Sequence, residues 1–303
     1  MKKFKYQGYL TNFISKRIGE FNKNKFALFI HINLLKIRGN LVQKPIPLSV
    51  VSFSSNKDFY DQILSILSFL RYVGTPTKWT LYSDGSHSNQ QIELLKRYFE
   101  FIEIVKDDWG NLSSIFIQKN ELVPFKNELL NYAKHMPLGK KLFYYLNHKI
   151  IDSTLFIDSD ILFYSKASVL NLIIQDKIHG YFLTDPDWGC LDSRYKEKNQ
   201  KQQYQANSGF FLVNQEIEDL KEGLEFLKSL DYKYEYFSEQ NIFHILFRSN
   251  DFVPLDSSIF IINSGDQFDF SYLYNKENIA IRHYTGPVRH KMWQRDWKWQ
   301  LSI

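Results

Sequence analysis

Cysteine is nearly absent from this chain, since Cys190 is the only one. A single cysteine excludes an internal disulfide framework and fits a reducing compartment, so we expect a cytoplasmic protein. Long apolar runs are lacking as well. No stretch reaches the roughly 18 consecutive apolar residues of a membrane span. The start of the chain has no small-residue cleavage site after its apolar residues, which argues against a secretory signal.

The chain also lacks internal repeats and, within residues 45–303, any linker rich in proline or glycine. A length of 303 residues allows one large α/β domain or two small ones. Without a linker, one domain over residues 45–303 is the simplest prediction. Pro45 and Pro47 mark its start, and residues 1–44 form an N-terminal extension.

Acidic residues are scarce in that extension. Residues 1–44 hold ten Lys or Arg and one acid, Glu20, for a net charge of +9. The remainder holds 28 basic and 32 acidic residues, for a net charge of −4. The basic character of the chain is therefore local, and no nucleic-acid partner is expected for the protein.

The basic extension has an amphipathic pattern, in which the cations Lys16, Arg17 and Lys23 flank an apolar helical face. The face consists of Leu10, Phe13, Ile14, Ile18 and Phe21. Such a helix can lie in the interface of an anionic membrane, so we predict peripheral contact with the cytoplasmic face of a membrane. The alternative is a helix that packs on the rest of the chain and leaves its basic side in solvent.

Strand and helix patterns alternate after the extension. Strands are predicted at residues 48–53, 79–82 and 101–105, with apolar residues at helical spacing between them. This alternation predicts a mostly parallel sheet with helices on both faces. Ligands bind such sheets beyond the carboxyl ends of the strands, where Ser54 and Asp84 are expected to lie.

The apolar run at residues 154–157 predicts a strand that ends at Asp158-Ser159-Asp160. Two carboxylates two residues apart on extended backbone point to the same side, roughly 7 Å apart. Both carboxylates can therefore ligate one cation, and two negative charges this close together are stabilised by a cation between them. Asp and Ser are also common in turns at strand ends, and the triplet alone leaves both interpretations open.

Further polar side chains follow or open other predicted elements. Two acids come after a strand predicted at 180–184, a polar triplet opens a buried strand at 207–213, and an acidic-amide pair lies in the first turn of a helix at 237–247. These candidates are Asp185, Asp187, Asn207, Ser208, Gly209, Glu239 and Gln240. His244 within the last helix is interpreted as an ordinary semi-buried histidine.

Four segments occur in a recognisable order: FIDSD, NSGFFLV, SEQN and HYTGPVRHKMW. Together they resemble the GT-A-fold glycosyltransferases, most closely glycosyltransferase family 8 and its bacterial relatives, over about residues 48–293. That family has an Asp-X-Asp strand end, an Asn-X-Gly strand, an acidic-Gln pair and a late His-X-X-Gly-X-X-Lys-Pro-Trp segment. Here His283 and Gly286 keep the late spacing, whereas Lys291 comes two residues late and Met292 stands where proline is usual.

The resemblance implies a Rossmann-like GT-A fold, which is a mostly parallel mixed sheet flanked by helices in a single domain, here with a basic N-terminal extension. It implies a metal-dependent transferase that moves a hexose from a nucleotide-sugar, expected to be a UDP-sugar, to an acceptor hydroxyl. Asp158 would contact the ribose and the metal, and Asp160 and His283 would coordinate the metal directly. Oxygen ligands with one imidazole suit Mn²⁺ or Mg²⁺, which would stabilise the departing diphosphate.

The resemblance also implies donor contacts. Gly286 would let the backbone approach the diphosphate and Lys291 would neutralise it, with Arg289 as the substitute if the shifted spacing matters. The other expected donor-binding residues are Ser52, Phe53, Ser54, Asp84, Lys140, Lys141, Asp158, Ser159, Asn207, Ser208 and Gly209.

Family 8 members retain anomeric configuration, so the resemblance favours retention, with Glu239 or Gln240 beside the anomeric carbon. An inverting enzyme would need a carboxylate base, for which Asp185, Asp187 and Glu239 are the candidates. The acceptor is expected to be a glycan or a lipid-linked glycan in bacterial surface polysaccharide assembly.

Two other functions compete with a glycosyltransferase. A nucleotidyltransferase acting on a sugar phosphate usually has a glycine-rich phosphate loop, and residues 52–58 hold no glycine. A non-catalytic binding protein at a membrane surface would not need an intact set of Asp158, Asp160 and His283.

Overall fold

The computed structural model describes residues 5–39, 41, 44–174, 176–186, 190–195, 204–268, 270 and 274–301. One long helix comes first, and strands then alternate with helices as the apolar spacing predicts. The elements are α1 (Lys5–Gly39), β1 (Pro45–Ser54), α2 (Phe59–Tyr72), β2 (Thr75–Ser83), α3 (Asn89–Tyr98) and β3 (Ile102–Val105). The Ser88 hydroxyl caps α3 by accepting from the backbone N–H of Gln91.

The second half mixes short strands with helices. Its elements are α4 (Lys126–His135), α5 (Pro137–Asn147), β4 (Thr154–Asp158), β5 (Ile161–Phe163), α6 (Leu170–Ile173), β6 (Gly180–Asp185), β7 (Gln205–Val213), α7 (Lys221–Ser229), α8 (Ser238–Ser249), β8 (Val253–Pro254), β9 (Phe260–Ile261), β10 (Ile281–His283), α9 (Arg289–Lys291) and α10 (Trp297–Leu301). As predicted, the strand at 154 ends at the acidic triplet, which separates β4 from β5.

The large sheet has seven strands in the order β3-β2-β1-β4-β7-β6-β8. Neighbouring strands are parallel except at β7, which runs antiparallel to both β4 and β6. The predicted fold class, a mostly parallel mixed sheet flanked by helices in one domain, is confirmed. The reversal matters for function, because β7 begins at the edge of the sheet where β4 and β6 end.

Alternate side chains of the central strands enter two hydrophobic layers, one on each face of the sheet. On β4, Leu155 and Ile157 join the layer that includes α1 and α2, whereas Phe156 joins the layer that includes α5 and α8. Phe156 stacks on Phe211 of β7 with ring centroids 4.6 Å apart. Asp158 shares the side of Phe156, so its carboxylate is directed toward α5 and α8.

A second sheet of order β5-β10-β9 continues from the acidic triplet. β10 is antiparallel to β5, with His283 opposite Ile161. The backbone N–H of Tyr284 extends this pairing by donating to the carbonyl of Asp160 at 2.9 Å. This register brings His283 beside the triplet although the two segments are far apart in sequence.

The N-terminal helix α1 packs on the rest of the chain along one side. Phe26, Ile30, Leu34 and Ile37 are buried in the same layer as Leu155. The predicted boundary after residue 44 coincides with the start of β1, while the division into an extension and a catalytic domain stays a prediction. Among the described residues, no helix has both the length and the apolar character that crossing a membrane requires.

Candidate active site

A cleft of about 520 Å³ opens where β4 and β6 end and β7 begins. Parallel strands end at one edge of a sheet, and antiparallel β7 starts there, so the predicted polar residues converge. α5, α8 and the segment after β10 complete the lining. The predicted site residues in it are Lys141, Asp158, Asp160, Asp185, Asn207, Ser208, Gly209, Glu239, Gln240, His283, Gly286 and Arg289.

Asp158, Asp160 and His283 form a group that could hold a metal ion, with one ligand atom from each within 4.8 Å of the others. His283 Nε2 lies 3.2 Å from Asp160 Oδ1 and 3.8 Å from Asp158 Oδ2. The end of β4 supplies the carboxylates, and the β5–β10 register supplies the imidazole. These ligand types are ones that Mg²⁺ and Mn²⁺ accept.

Asn207 fixes the orientation of the His283 ring. Its Oδ1 accepts a hydrogen bond from the backbone N–H of Gly209 at 2.9 Å, which identifies the oxygen of this amide. His283 Nδ1 lies 3.1 Å from the same oxygen and therefore donates to it. The lone pair of Nε2 then faces the carboxylates, which is the tautomer that a metal-binding histidine needs.

Two further observations fit a cation at this position. Asp160 Oδ1 is buried and accepts no hydrogen bond from the described residues, although buried acceptors are normally paired. A Cβ on Gly209 would lie 2.3 Å from His283 Cε1 and 2.8 Å from Asp158 Oδ2, so glycine is needed for these ligands to meet beside β7. The residues present therefore fit the divalent metal that the resemblance implies.

Arg289 supplies a permanent positive charge to this group. Its Nε and Nη2 donate to Asp160 Oδ2 at 3.0 and 2.5 Å, and its Nη1 pairs with Asp58 at 2.8 Å. Burial favours the protonated acid, but the Arg289 guanidinium outweighs it and holds the pKa of Asp160 well below its usual range. Lys291 is fully buried outside the cleft lining, whereas its predicted substitute Arg289 lines the cleft.

Lys141 links the metal-binding group to the first turn of α8. Its Nζ lies 2.7 Å from Asp158 Oδ1 and 3.3 Å from Glu239 Oε1. Burial opposes the charge on Lys141, but the two carboxylates raise its pKa above the ordinary value. Burial raises the pKa of Glu239, although Lys141 and the Ser208 hydroxyl, which donates to Glu239 at 2.8 Å, act in the opposite direction.

Gln240 lies at the opposite side of Asn207. Its Oε1 accepts from Asn207 Nδ2 at 3.0 Å, and its Nε2 donates to the carbonyl of Cys190 at 2.7 Å. Asn207 Nδ2 also lies 3.4 Å from Asp185 Oδ2. One asparagine therefore holds His283 on the metal side and Gln240 on the other.

Some predicted donor-binding residues are not in the cleft lining, namely Ser52, Phe53, Ser54, Asp84, Lys140, Ser159 and Lys291. Ser52 accepts from the indole of Trp79 at 2.9 Å, and Lys140 donates to the carbonyl of Asp84 at 2.7 Å. Their donor contacts stay predictions. Asp187 lies outside the described residues.

The cleft also has lining residues that were not among the predicted site residues, although Thr285 and Pro287 stand within the late motif segment. These are Leu138, Pro186, Cys190, Tyr236, Phe237, Ile262, Asn263, Ser264, Gly265, Thr285 and Pro287. The Asn-Ser-Gly turn at 263–265 follows a strand of two residues, which is too short to predict from a pattern. Tyr236 is exposed, and it and its neighbour Phe237 come directly before the SEQN segment. Their position beside that motif is the sequence feature from which they could have been predicted.

Similarity to solved structures defines the class of this fold as that of the GT-A glycosyltransferases. The galactosyltransferase LgtC, solved with donor and acceptor sugar analogues, matches with a TM-score of 0.52 at 13% identity over 83% of this chain and 99% of that one. The bifunctional glycosyltransferase WbbM matches with a TM-score of 0.51 at 13% identity, over 79% of this chain and 46% of that one.

The glycosyltransferase GlyE of Streptococcus pneumoniae matches with a TM-score of 0.50 at 13% identity, over 84% of this chain and 62% of that one. At such identities the likeness concerns the fold. No protein-family model and no curated protein sequence matches the chain.

Proposed function

We propose that this protein is a metal-dependent glycosyltransferase that moves a hexose from a UDP-sugar to an acceptor hydroxyl. The observation that carries the proposal is the group of Asp158, Asp160 and His283 at the end of β4. In a GT-A fold this edge of the sheet is where the donor is expected. Asp160 Oδ1 is buried, accepts no hydrogen bond from the described residues and lies 3.2 Å from His283 Nε2, which supports a cation between these two ligands.

Asp158, Asp160 and His283 would hold Mn²⁺ or Mg²⁺. When bound, the ion supplies Lewis acidity to the diphosphate leaving group and orients it. Asn207 keeps the His283 ring in the ligating tautomer, and Arg289 keeps Asp160 ionised while a metal is absent. These residues prepare the site electrostatically before donor and metal enter.

Arg289 and Gly286 are proposed to face the donor diphosphate. Arg289 lines the cleft and carries a guanidinium whose fork geometry suits phosphate oxygens. A Cβ on Gly286 would meet open space, so the backbone here is accessible from the cleft. Lys141 holds Asp158 in place for its expected contact with the ribose.

Retention is the stereochemical outcome we propose, with Gln240 beside the anomeric carbon. Gln240 lies in the cleft lining and is held at both ends of its amide. Glu239 accepts from the Ser208 hydroxyl and lies 3.3 Å from the Lys141 ammonium, which disfavours it as a freely acting base. Asp185 is the remaining described carboxylate for an inverting reaction.

The acceptor is proposed to be a glycan or a lipid-linked glycan in the assembly of a bacterial surface polysaccharide, at the cytoplasmic face of the membrane. The adjoining cavity of about 320 Å³ shares Asp185 and Ile262 with the cleft and gives room for an acceptor beside the donor. Tyr204 and Tyr274 in its wall are aromatic surfaces of the kind on which sugars pack.

A donor screen tests the proposal directly. Release of nucleoside diphosphate is measured with UDP-, GDP- and ADP-sugars, each with Mn²⁺, with Mg²⁺ and with a chelator. We expect release from a UDP-sugar that the chelator abolishes and added Mn²⁺ restores. Transfer or release that is equal with and without metal would contradict the metal-dependent function. In a separate assay with a nucleoside triphosphate and a sugar phosphate, release of pyrophosphate would identify a nucleotidyltransferase instead.

A further inference from the structure

Helix α1 has two apolar sides, of which the rest of the protein covers one. The covered side includes Gly19, Phe26 and Ile30, and a Cβ on Gly19 would lie 3.0 Å from the carbonyl oxygen of His290. Phe26 packs against Trp293 with ring centroids 5.0 Å apart. α1 is therefore held in a fixed orientation on the segment that follows β10.

The second apolar side of α1 faces solvent. Leu10, Phe21 and Leu28 expose 62%, 69% and 75% of their surface. The other exposed apolar residues of α1 are Tyr9, Phe13, Ile14, Ile18, Phe29 and Ile32. Spacings of three, four and seven residues put most of them on one face of the helix. Exposed Phe21 and buried Phe26 are five residues apart, so their side chains point roughly 140° apart around the helix axis.

The charge of this exposed face indicates which kind of partner it binds. Lys25 and Arg17, which pairs with Glu20 at 3.1 Å, are exposed among the apolar residues, and residues 1–44 carry a net charge of +9. A second copy of the same helix would bring like charges together, whereas an anionic lipid surface attracts them. Since no described helix can cross a bilayer, an exposed face about 33 Å long from Leu10 to Ile32 is suited to lie flat in the interface.

The covered side of α1 also leads to the candidate active site. A groove of about 230 Å³ between α1 and the segment after β10 is lined by Lys16, Lys23, Gly286 and Arg289, together with Gly19, Glu20, His290 and Trp293. Gly286 and Arg289 line the active-site cleft as well. Lys23 pairs with Asp61 at 2.9 Å and thereby joins α1 to α2 beneath the same segment.

We propose that the outward face of α1 docks the protein on an anionic bilayer and sets the orientation in which the cleft meets that bilayer. The apolar side chains enter the interface, and Arg17 and Lys25 contact anionic head groups. The docked protein then holds the groove with Gly286 and Arg289 on the covered side of α1, one helix diameter, about 10 Å, from the lipid. That the cleft so oriented receives a lipid-linked acceptor rests on the proposed function, whereas docking does not.

Vesicle sedimentation tests the docking face with the full-length chain. Phosphatidylcholine vesicles with about one quarter phosphatidylglycerol are compared with pure phosphatidylcholine vesicles. We expect the protein to sediment with the anionic vesicles and to be released by high salt. The double variant Phe21→Glu/Leu28→Glu is expected to weaken binding about tenfold or more, because it removes two apolar contacts and adds like charge.

A matched control is the double variant Ile151→Glu/Leu172→Glu, at positions outside α1 that expose 81% and 78% of their surface. It makes the same chemical change and is expected to bind anionic vesicles as the unaltered chain does. Equal loss in both double variants, or no loss in either, would overturn the proposal. Arg17→Gln/Lys25→Gln provides a second test, in which binding should weaken on anionic vesicles with the fold unchanged.

Two further readouts separate the outcomes. Sedimentation equilibrium without lipid would reveal a dimer that Phe21→Glu/Leu28→Glu dissociates, and such a dimer without vesicle binding would overturn the lipid assignment. Hydrolysis of the nucleotide-sugar in solution should be unchanged in that variant, since none of its residues lines the cleft. Vesicle binding without any donor hydrolysis would leave docking supported and the proposed function contradicted.

Discussion

Two buried carboxylates face the same cleft, and their pKa values are shifted in opposite directions. Asp160 has a guanidinium, that of Arg289, bound to one of its oxygens, and its pKa is held low. Glu239 shares the ammonium of Lys141 with Asp158, and its pKa is raised. Burial pushes both pKa values upward. The Arg289 guanidinium outweighs burial at Asp160, whereas at Glu239 the like charge of Asp158 adds to burial and opposes Lys141.

This difference separates two tasks within one site. Asp160 stays anionic and keeps Oδ1 free of hydrogen bonds from the described residues, which prepares it to bind a cation. Glu239 has an oxygen bound by Ser208 and the other near Lys141, which suits it to hold the first turn of α8 in position. Four substitutions test whether the two sides of the cleft differ in this way.

Asp160→Ala is expected to have the largest effect. Loss of a central metal ligand should lower transfer by roughly a thousandfold or more and abolish Mn²⁺-dependent binding of UDP, since charge stabilisation of the leaving group depends on it. Calorimetry of UDP binding with and without Mn²⁺ measures this. Asp152→Ala, at an exposed position just before the same strand, should leave binding unchanged. Metal-dependent binding that persists in folded Asp160→Ala would exclude the metal assignment.

Lys141→Met should be next in size and should act on stability. Removing the cation leaves buried Glu239 and Asp158 without their partner, at a cost of about 3–5 kcal/mol in the free energy of unfolding. Denaturant unfolding of the neighbouring variant Lys140→Met is the control, since Lys140 donates to a backbone carbonyl and should lose about 1 kcal/mol. Added Mn²⁺ should restore part of the loss in Lys141→Met, and equal costs for the two lysines would show that Lys141 does not unite the two sides.

His283→Ala is expected to weaken Mn²⁺ binding by about 10–100-fold, because one ligand is lost while both carboxylates remain. The comparison variant is His244→Ala, whose buried ring lies 3.3 Å from the backbone N–H of Ala206 and does not line the cleft. Fluorescence or paramagnetic titration with Mn²⁺ gives both affinities. If the two variants lost the same affinity, the imidazole of His283 would have no ligand role.

Gln240→Ala should have the smallest effect on binding and act on the chemical step. We expect turnover to fall about tenfold while the dissociation constant of the donor changes little, since Gln240 lies on the side of Asn207 away from the metal group. NMR of the product reports its anomeric configuration. An inverted product would transfer the catalytic role to Asp185 or Asp187 as the base.

The sequence by itself predicted most strands of the large sheet and about half of the residues that line the cleft. Apolar alternation predicted β1, β2, β3 and β4, and the strand-helix order predicted a mostly parallel sheet. Because parallel strands end at a common edge, residues such as Asp158 and Asp185 could be expected together there. Four short motifs then identified residues on β7, α8 and β10 that line the same cleft.

Only the tertiary structure decided between residues that the motifs left equivalent. Arg289 and Lys291 are both basic and two residues apart in the short helix α9, so they point about 200° apart around its axis. The register of β10 against β5 sets where that helix starts, and it turns Arg289 to the cleft and Lys291 to the interior. The same holds for α1. The periodicity of its sequence predicts apolar faces, but the packing of distant segments determines which of these faces is covered.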